Sequence, residues 1–388
     1  MKAFIHDAVR TPRGRAHATE GGLAAQNPGS LLTHLSGALA GRGRWNADRT
    51  ADMMIVGCVG QVGPQGGHIA MVAKMRGAVA DGVPVHTINN FCASGLSAIG
   101  QAASMVTAGQ ARSVLAGGVE MLSRVAFMAD NADYYMASDL PVPRRYIPVS
   151  LAADLLAMKW GVGRAELDAV ALTSQQRAAA AETRPGLHAS RIAVDGLSTE
   201  QLPRPTSAES LAALRPAFPR LAAQYREALG DVEIDHRHTV AHAPPMADGA
   251  ALALVGGPEA GGGRLPRARI LAWAEAGGDP RDSLTAGFTA MDQALARSGL
   301  CLRDMDRVEF MEAFAVTIAA FLRDRDVDPA RVNVSGGHLA KGHPMGATGA
   351  ILLSTLLDAL DEAEGTLGLV VATGAQGVGV AMVVERLS

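Results

Sequence analysis

Asn89-Asn90-Phe91-Cys92-Ala93-Ser94-Gly95 and Gly342-His343-Pro344-Met345-Gly346-Ala347-Thr348-Gly349 are two turns, each opening a run of small and apolar residues that reads as a buried helix. The first run leads to strand-like residues 113–116 and the pair Gly117-Gly118. The second leads to strand-like residues 368–373 and a glycine-rich turn. Two copies of one α/β unit account for both, although an α/β chain can give one such match by chance.

Outward from these units, residues 53–57 and 114–118 are short apolar runs closed by glycine, and strand-like segments return at 250–255, 269–273, 307–310 and 368–373. Between about 130 and 243 the character changes. Prolines recur there with charged helical stretches such as 164–182, the mark of a long excursion from the core. The 388 residues are 48% hydrophobic, enough for a sizeable core and against disorder as the main state. Only 4% are aromatic while 44 are glycine, which suits a layered α/β protein better than an aromatic-cored sandwich. Lys plus Arg number 35 against 38 Asp plus Glu, so no positive excess exists for nucleic acid or an anionic membrane. Cys58, Cys92 and Cys301 are too few and scattered for a disulfide framework or a Cys-rich zinc site. Met1 to Ile5 reads as a first strand rather than a signal peptide, and no apolar run of about 18 residues suggests a span. Reduced thiols and these absences set the expectation of a cytoplasmic protein.

Cys92 falls where a strand-like run ends and a helix begins. Unpaired N–H groups and the helix dipole there favour a thiolate, so the expectation is a lowered thiol pKa and a nucleophile. A buried, purely structural cysteine is the alternative, and it is the reading for Cys58 and Cys301. His343 occupies the equivalent turn of the second unit, forced by Pro344 and the flanking glycines. If the units pack about a pseudo-twofold axis, the two side chains meet, giving a nucleophile and a proton acceptor for covalent acyl transfer.

These segments, with Ala8-Val9-Arg10-Thr11-Pro12, Gly117-Gly118-Val119-Glu120-Met121, residues 204–218 and Asp248-Gly249-Ala250, resemble the thiolase family over almost the whole chain. The resemblance implies the thiolase fold, an α/β architecture of two duplicated βαβαβαββ halves in a layered α-β-α-β-α core with an inserted loop domain. The expected divisions are 1–120 for the first half, completed by 246–262, then 121–245 for the loop domain and 263–388 for the second half. It further implies a coenzyme A thioester as substrate (acyl-CoA or an acyl-carrier thioester), no bound cofactor, an acyl-cysteine intermediate on Cys92 activated by His343, and a homodimer or homotetramer. The backbone N–H groups of Cys92 and Ala375 would hold an oxyanion, while Ser210, Arg204, Ala313 and Phe314 would line the substrate path, with Arg204 directed at phosphate.

Two departures stand out. The family's Asn, which anchors a water, is Met311 here, and its second catalytic cysteine is Thr373, whose hydroxyl is too weak an acid or base for α-proton transfer. His242, or else His338, is the expected substitute; otherwise the acyl group passes to a heteroatom nucleophile or water. The ordinary alternative is that both are loop histidines. His236, His238 and His242 have a metal-like spacing, but a loop cluster without further ligands reads as hydrogen-bonded, so no metal is expected. The expected function is thiolase-like acyl transfer from acyl-CoA: thiolysis, condensation, or transfer to another acceptor. A weakened partner subunit that binds acyl-CoA without turnover is the second reading.

Overall fold

A computed structural model describes residues 2–387; Met1, read above as the head of the first strand, and Ser388 lie outside the described residues. The strands are β1 (Phe4–Arg10), β2 (Gly14–Arg15), β3 (Met53–Gly57), β4 (Val85–Ile88), β5 (Ser113–Met121), β6 (Ala247–Gly256), β7 (Ala268–Gly277), β8 (Arg307–Phe310), β9 (Leu367–Gly374) and β10 (Val378–Arg386). They run in the order β4-β3-β5-β6-β1-β7-β10-β9-β8, with β2 beside β6. Read from the middle outward, the order is nearly a palindrome. β1, β6, β5 and β3 are matched by β7, β10, β9 and β8, and each half is antiparallel near the centre and parallel at its edge. The match fails at β2, which has no counterpart beside β10 among the described residues, and at the edge. The counterpart of β4 in the second half is reduced to a single parallel bridge between Val332 and Val308.

Alternation along the strands builds the layers, because successive side chains point to opposite faces. Ile55, Val114, Ala116, Val370, Ala372 and Met382 face one large central core. Met54, Val56 and Leu115 face a second apolar cluster with the helix Pro28–Gly41, whereas Leu369, Val371 and Val383 face a third with the helix Ala286–Ser298. Strands buried on both faces are near-continuously apolar, as 114–118 and 369–372 are. The central layer is the helix pair Ser94–Thr107 and Thr348–Glu362, which pack on each other and on strands from both halves.

Small residues permit that approach. A Cβ at Gly349 would stand 2.6 Å from that of Leu96, and one at Gly95 would stand 2.8 Å from the carbonyl oxygen of Gly346. The repeat seen in the sequence is therefore a reciprocal contact: each unit's glycine accommodates the other unit's helix start.

Residues 122–246 contain no strand among the described residues, and their longest helices are Val149–Lys159 and Arg164–Ala181. Buried ion pairs tie this excursion and the segment 190–200 to the core. Arg13 Nη2 lies 3.0 Å from Glu200 Oε1, and Arg10 Nη1 lies 2.7 Å from Asp358 Oδ2, which also accepts from Ser190 N. Cys58 is buried, while Cys301, expected to be structural, is exposed at a turn where packing does not constrain it.

Candidate active site

The two turns meet in the central layer. His343 Nε2 is 3.1 Å from Cys92 Sγ, and His343 Nδ1 is 2.7 Å from Thr348 Oγ1. Each turn is held by its own polar contacts. Asn89 Oδ1 accepts from Phe91 N, and Ser94 Oγ accepts from Asn90 N and donates to the Phe91 carbonyl. This knot keeps Phe91 at φ +47°, a left-handed conformation uncommon for a bulky residue, immediately before Cys92. His343 is fixed by its N–H donating to the Pro245 carbonyl (2.8 Å) and by Gly342 at φ +92°, where a Cβ would meet Leu202 and Ala247.

Electrostatics reverse one expectation. Burial pushes the Cys92 thiol up to about 12, and the negative Glu120 adds to it; the N–H groups of Ala375 and Cys92 itself oppose this but do not overcome it. The helix start is thus outweighed by desolvation. Burial, helped by Arg13, takes His343 down to about 3. At neutral pH the pair is a neutral thiol and a neutral imidazole. With Nδ1–H donating to Thr348 Oγ1, Nε2 accepts from the S–H; this is the tautomer that a general base requires, and both contacts accommodate it.

The segment after β9 crosses close to Cys92: a Cβ on Gly374 would come within 3.4 Å of Cys92 N. Gln376, at φ +59°, and the bonds from Gln376 N and Gly377 N to Ser283 hold this turn, so the Ala375 N–H is directed at the sulfur. Two fixed donors, the N–H groups of Ala375 and Cys92, are thus directed at the Cys92 sulfur.

Glu120 was quoted in the sequence only as part of a matching stretch. It is fully buried and accepts from Val59 N, Gly60 N, Gly346 N and Gln65 Nε2. Burial raises its pKa against those donors, and it ties the loop after β3 to the His343 turn. Thr348 and Arg13 were likewise not singled out. A polar residue at the first position of a small-residue helix is the only sign of Thr348 in the sequence.

Thr373 is fully buried at the end of β9, on the face toward Gly287; its hydroxyl reaches the Val378 carbonyl at 3.5 Å and makes no hydrogen bond with Cys92 or His343 among the described residues. Met311 is buried in the central core with Ala313 and Phe314, and offers no hydrogen bond for a water. His242 is engaged at both nitrogens, Nε2 with Asp168 at 2.7 Å and Nδ1 accepting from Thr239 N at 3.1 Å. Burial, against Asp168, lowers it to about 4. His236 and His238 both lean on Asp154 at 2.7 Å, so the three spaced histidines serve two separate carboxylates. His338 differs. It is fully buried with neither ring nitrogen hydrogen-bonded among the described residues, its ring perpendicular to that of His343 at 5.7 Å. Burial first, then Arg13, hold it well below the usual imidazole range. Ser210 is exposed and closes a short capping box with Ser207. Arg204 is exposed and anchored through its backbone, its N–H donating to Gln175 and its carbonyl accepting from Thr206 Oγ1. Phe314 stacks edge-on against Phe218 and His238, at 6.2 and 5.7 Å.

Comparison with known proteins supplies the context. Residues 3–256 match the family model described as thiolase, N-terminal domain, and residues 264–386 match thiolase, C-terminal domain. The chain is similar to a steroid 3-ketoacyl-CoA thiolase of Mycobacterium tuberculosis, 33% identical over all of this chain and 94% of the relative. It is also 33% identical to a beta-ketoadipyl-CoA thiolase of Pseudomonas aeruginosa, covering all of this chain and 99% of the relative. An acetyl-CoA acetyltransferase of Escherichia coli is 33% identical, with 99% of each chain covered.

Proposed function

The chain belongs to the thiolase family, and from that premise we propose that it is an acyltransferase that takes the acyl group of a coenzyme A thioester onto Cys92. The observation that carries this is the 3.1 Å contact of Cys92 Sγ with an imidazole whose other nitrogen is tied to Thr348. As the sulfur attacks the thioester carbonyl, its proton passes to His343 Nε2. The new Cys92 S–C bond forms, the coenzyme A S–C bond breaks, and His343 returns the proton to the departing thiolate. The N–H groups of Cys92 and Ala375 stabilise the intermediate oxyanion. Because the resting pair is neutral, the proton transfer belongs to the attack rather than preceding it.

Condensation of the acyl-enzyme with the α-carbon of a second acyl-CoA, or its reverse, thiolysis of a 3-ketoacyl-CoA as in the relatives' names, makes or breaks a carbon–carbon bond. It needs a group to move the α-proton. His338 is the candidate in this reading, since its nitrogens are free where those of His242 are spent. In this reading exposed Arg204 and Ser210 meet the outer, phosphate-bearing part of the coenzyme A, while buried Ala313 and Phe314 lie deeper on the path toward Cys92. The divisions 1–120 with 246–262, 121–245 and 263–388, a homo-oligomeric state and a cytoplasmic location complete the proposal. A second reading, transfer to a heteroatom acceptor or a partner subunit of low turnover, is favoured by one observation: Thr373 and Met311 contribute no group that can hold a proton or a water near Cys92.

Two exchange reactions test this. Labelled coenzyme A should exchange into acetyl-CoA without any acceptor, as an acyl-enzyme requires; absence of exchange refutes the acyl-cysteine half. In heavy water, deuterium should enter the methyl group of acetyl-CoA with wild type and not with His338→Ala. Coenzyme A exchange without deuterium uptake selects the heteroatom reading.

A further inference from the structure

We infer that Tyr135 and Tyr146 form a partition that limits the acyl group on Cys92 to about the size of an acetyl group; this rests on the acyl-cysteine reading above. The chain has four tyrosines, and all lie in the excursion and pack together. Ring centroids are 4.5 Å apart for Tyr134–Tyr135, 5.0 Å for Tyr135–Tyr146 and 5.9 Å for Tyr146–Tyr225. In a chain with 4% aromatic residues, that concentration is a local construction.

Its position gives it a role. A cavity of about 40 Å³ is lined by Phe91 and Ala375, the chain neighbour and the backbone donor of Cys92, by Met345 of the His343 turn, and by Tyr134, Tyr135 and Tyr146. Beyond the tyrosines lies a second cavity of about 380 Å³, which shares Tyr135 and Tyr146 and extends to Tyr225. The inner space is about a tenth of the outer one, so it suits a group as small as acetyl. A longer chain must pass the rings to reach the outer space. The rings are held against that passage: the Tyr135 hydroxyl donates to the Asp130 carboxylate at 3.0 Å, and Tyr146 is buried with its hydroxyl 3.7 Å from Met128 Sδ.

The test compares rates of Cys92 acylation by acetyl-CoA and hexanoyl-CoA, read by intact-protein mass, in wild type, Tyr146→Ala and Tyr135→Ala. Discrimination of about 10- to 200-fold for one methylene is available to a closed pocket, so wild type should prefer acetyl by at least tenfold. Each variant should raise the hexanoyl-to-acetyl ratio by at least tenfold. Tyr135 is only half-buried, so its truncation keeps the test open should Tyr146→Ala fail to fold. Equal wild-type rates, or a ratio unchanged in a folded variant, overturn the partition and leave the acyl-cysteine intact. Absence of any adduct on wild-type Cys92 overturns both.

Discussion

Replacing Thr348 by Val keeps the shape of the side chain and deletes the hydroxyl that His343 Nδ1 meets at 2.7 Å. Thr348 is fully buried and His343 nearly so, so water cannot replace the lost partner without rearrangement. During attack the imidazole becomes charged, and a hydrogen bond to a charged group is worth about 1.5–3 kcal/mol. At about 1.36 kcal/mol per factor of ten, Cys92 acylation should slow by roughly 10- to 150-fold. A second effect acts in the same direction. Without an acceptor at Nδ1, the imidazole can place its proton on Nε2 and face Cys92 as a donor, which is useless to a base. The assay is single-turnover acylation by saturating acetyl-CoA, quenched and read by mass. Half-saturation should move far less than the rate, because Thr348 lies behind the imidazole, and Thr348→Ser should restore most of the rate. Acylation of the Val variant within threefold of wild type would refute the orientation argument.

The remaining predictions follow from charge and packing. With the Cys92 thiol pushed up to about 12, alkylation by iodoacetamide should rise nearly tenfold per pH unit from pH 7 to 9; a plateau below pH 8 would mean a preformed thiolate. Burial alone would raise Glu200, but Arg13 overrides it and holds the carboxyl at about 2. This lowering from 4.5 corresponds to about 3 kcal/mol. The stabilisation is fully present above about pH 4.5 and is lost as pH falls through about 2. Glu200→Gln should therefore cost about 3 kcal/mol in urea unfolding at pH 7 and almost nothing near pH 2, and equal losses at both would contradict the assignment. Gly349→Ala, forced against Leu96 at 2.6 Å, should lower both the melting temperature and Cys92 acylation; unchanged acylation would show that the helix contact does not set the site.

The sequence makes some of this legible because the information is local. Residues 53–57 and 307–310 are read as strands and coincide with β3 and β8, since an apolar run closed by a turn carries its own signal. The pairing of Cys92 with His343 is visible because both sit in turns at the heads of similar helices, and the glycines that mark the repeat are those that let the helices touch. What is hidden depends on distant partners. Glu120 looks like any acid at a strand end until Val59, Gly60 and Gly346 close on it. Likewise, the helix start at Cys92 argues for a thiolate, yet depth of burial, which no local pattern encodes, decides the opposite. His242 looks free in the sequence and is occupied in the fold because Asp168, on another helix, reaches it. Tyr134, Tyr135, Tyr146 and Tyr225 come together from a segment whose prolines give no period to read.

The most direct measurement is peptide-level mass spectrometry after incubation with acetyl-CoA. The account predicts one acetyl group on the peptide carrying Cys92, removed by added coenzyme A, with none on Cys58 or Cys301 and none in Cys92→Ala. An unmodified Cys92 under conditions where acetyl-CoA is consumed, or an acetyl group that persists in Cys92→Ala, would contradict it.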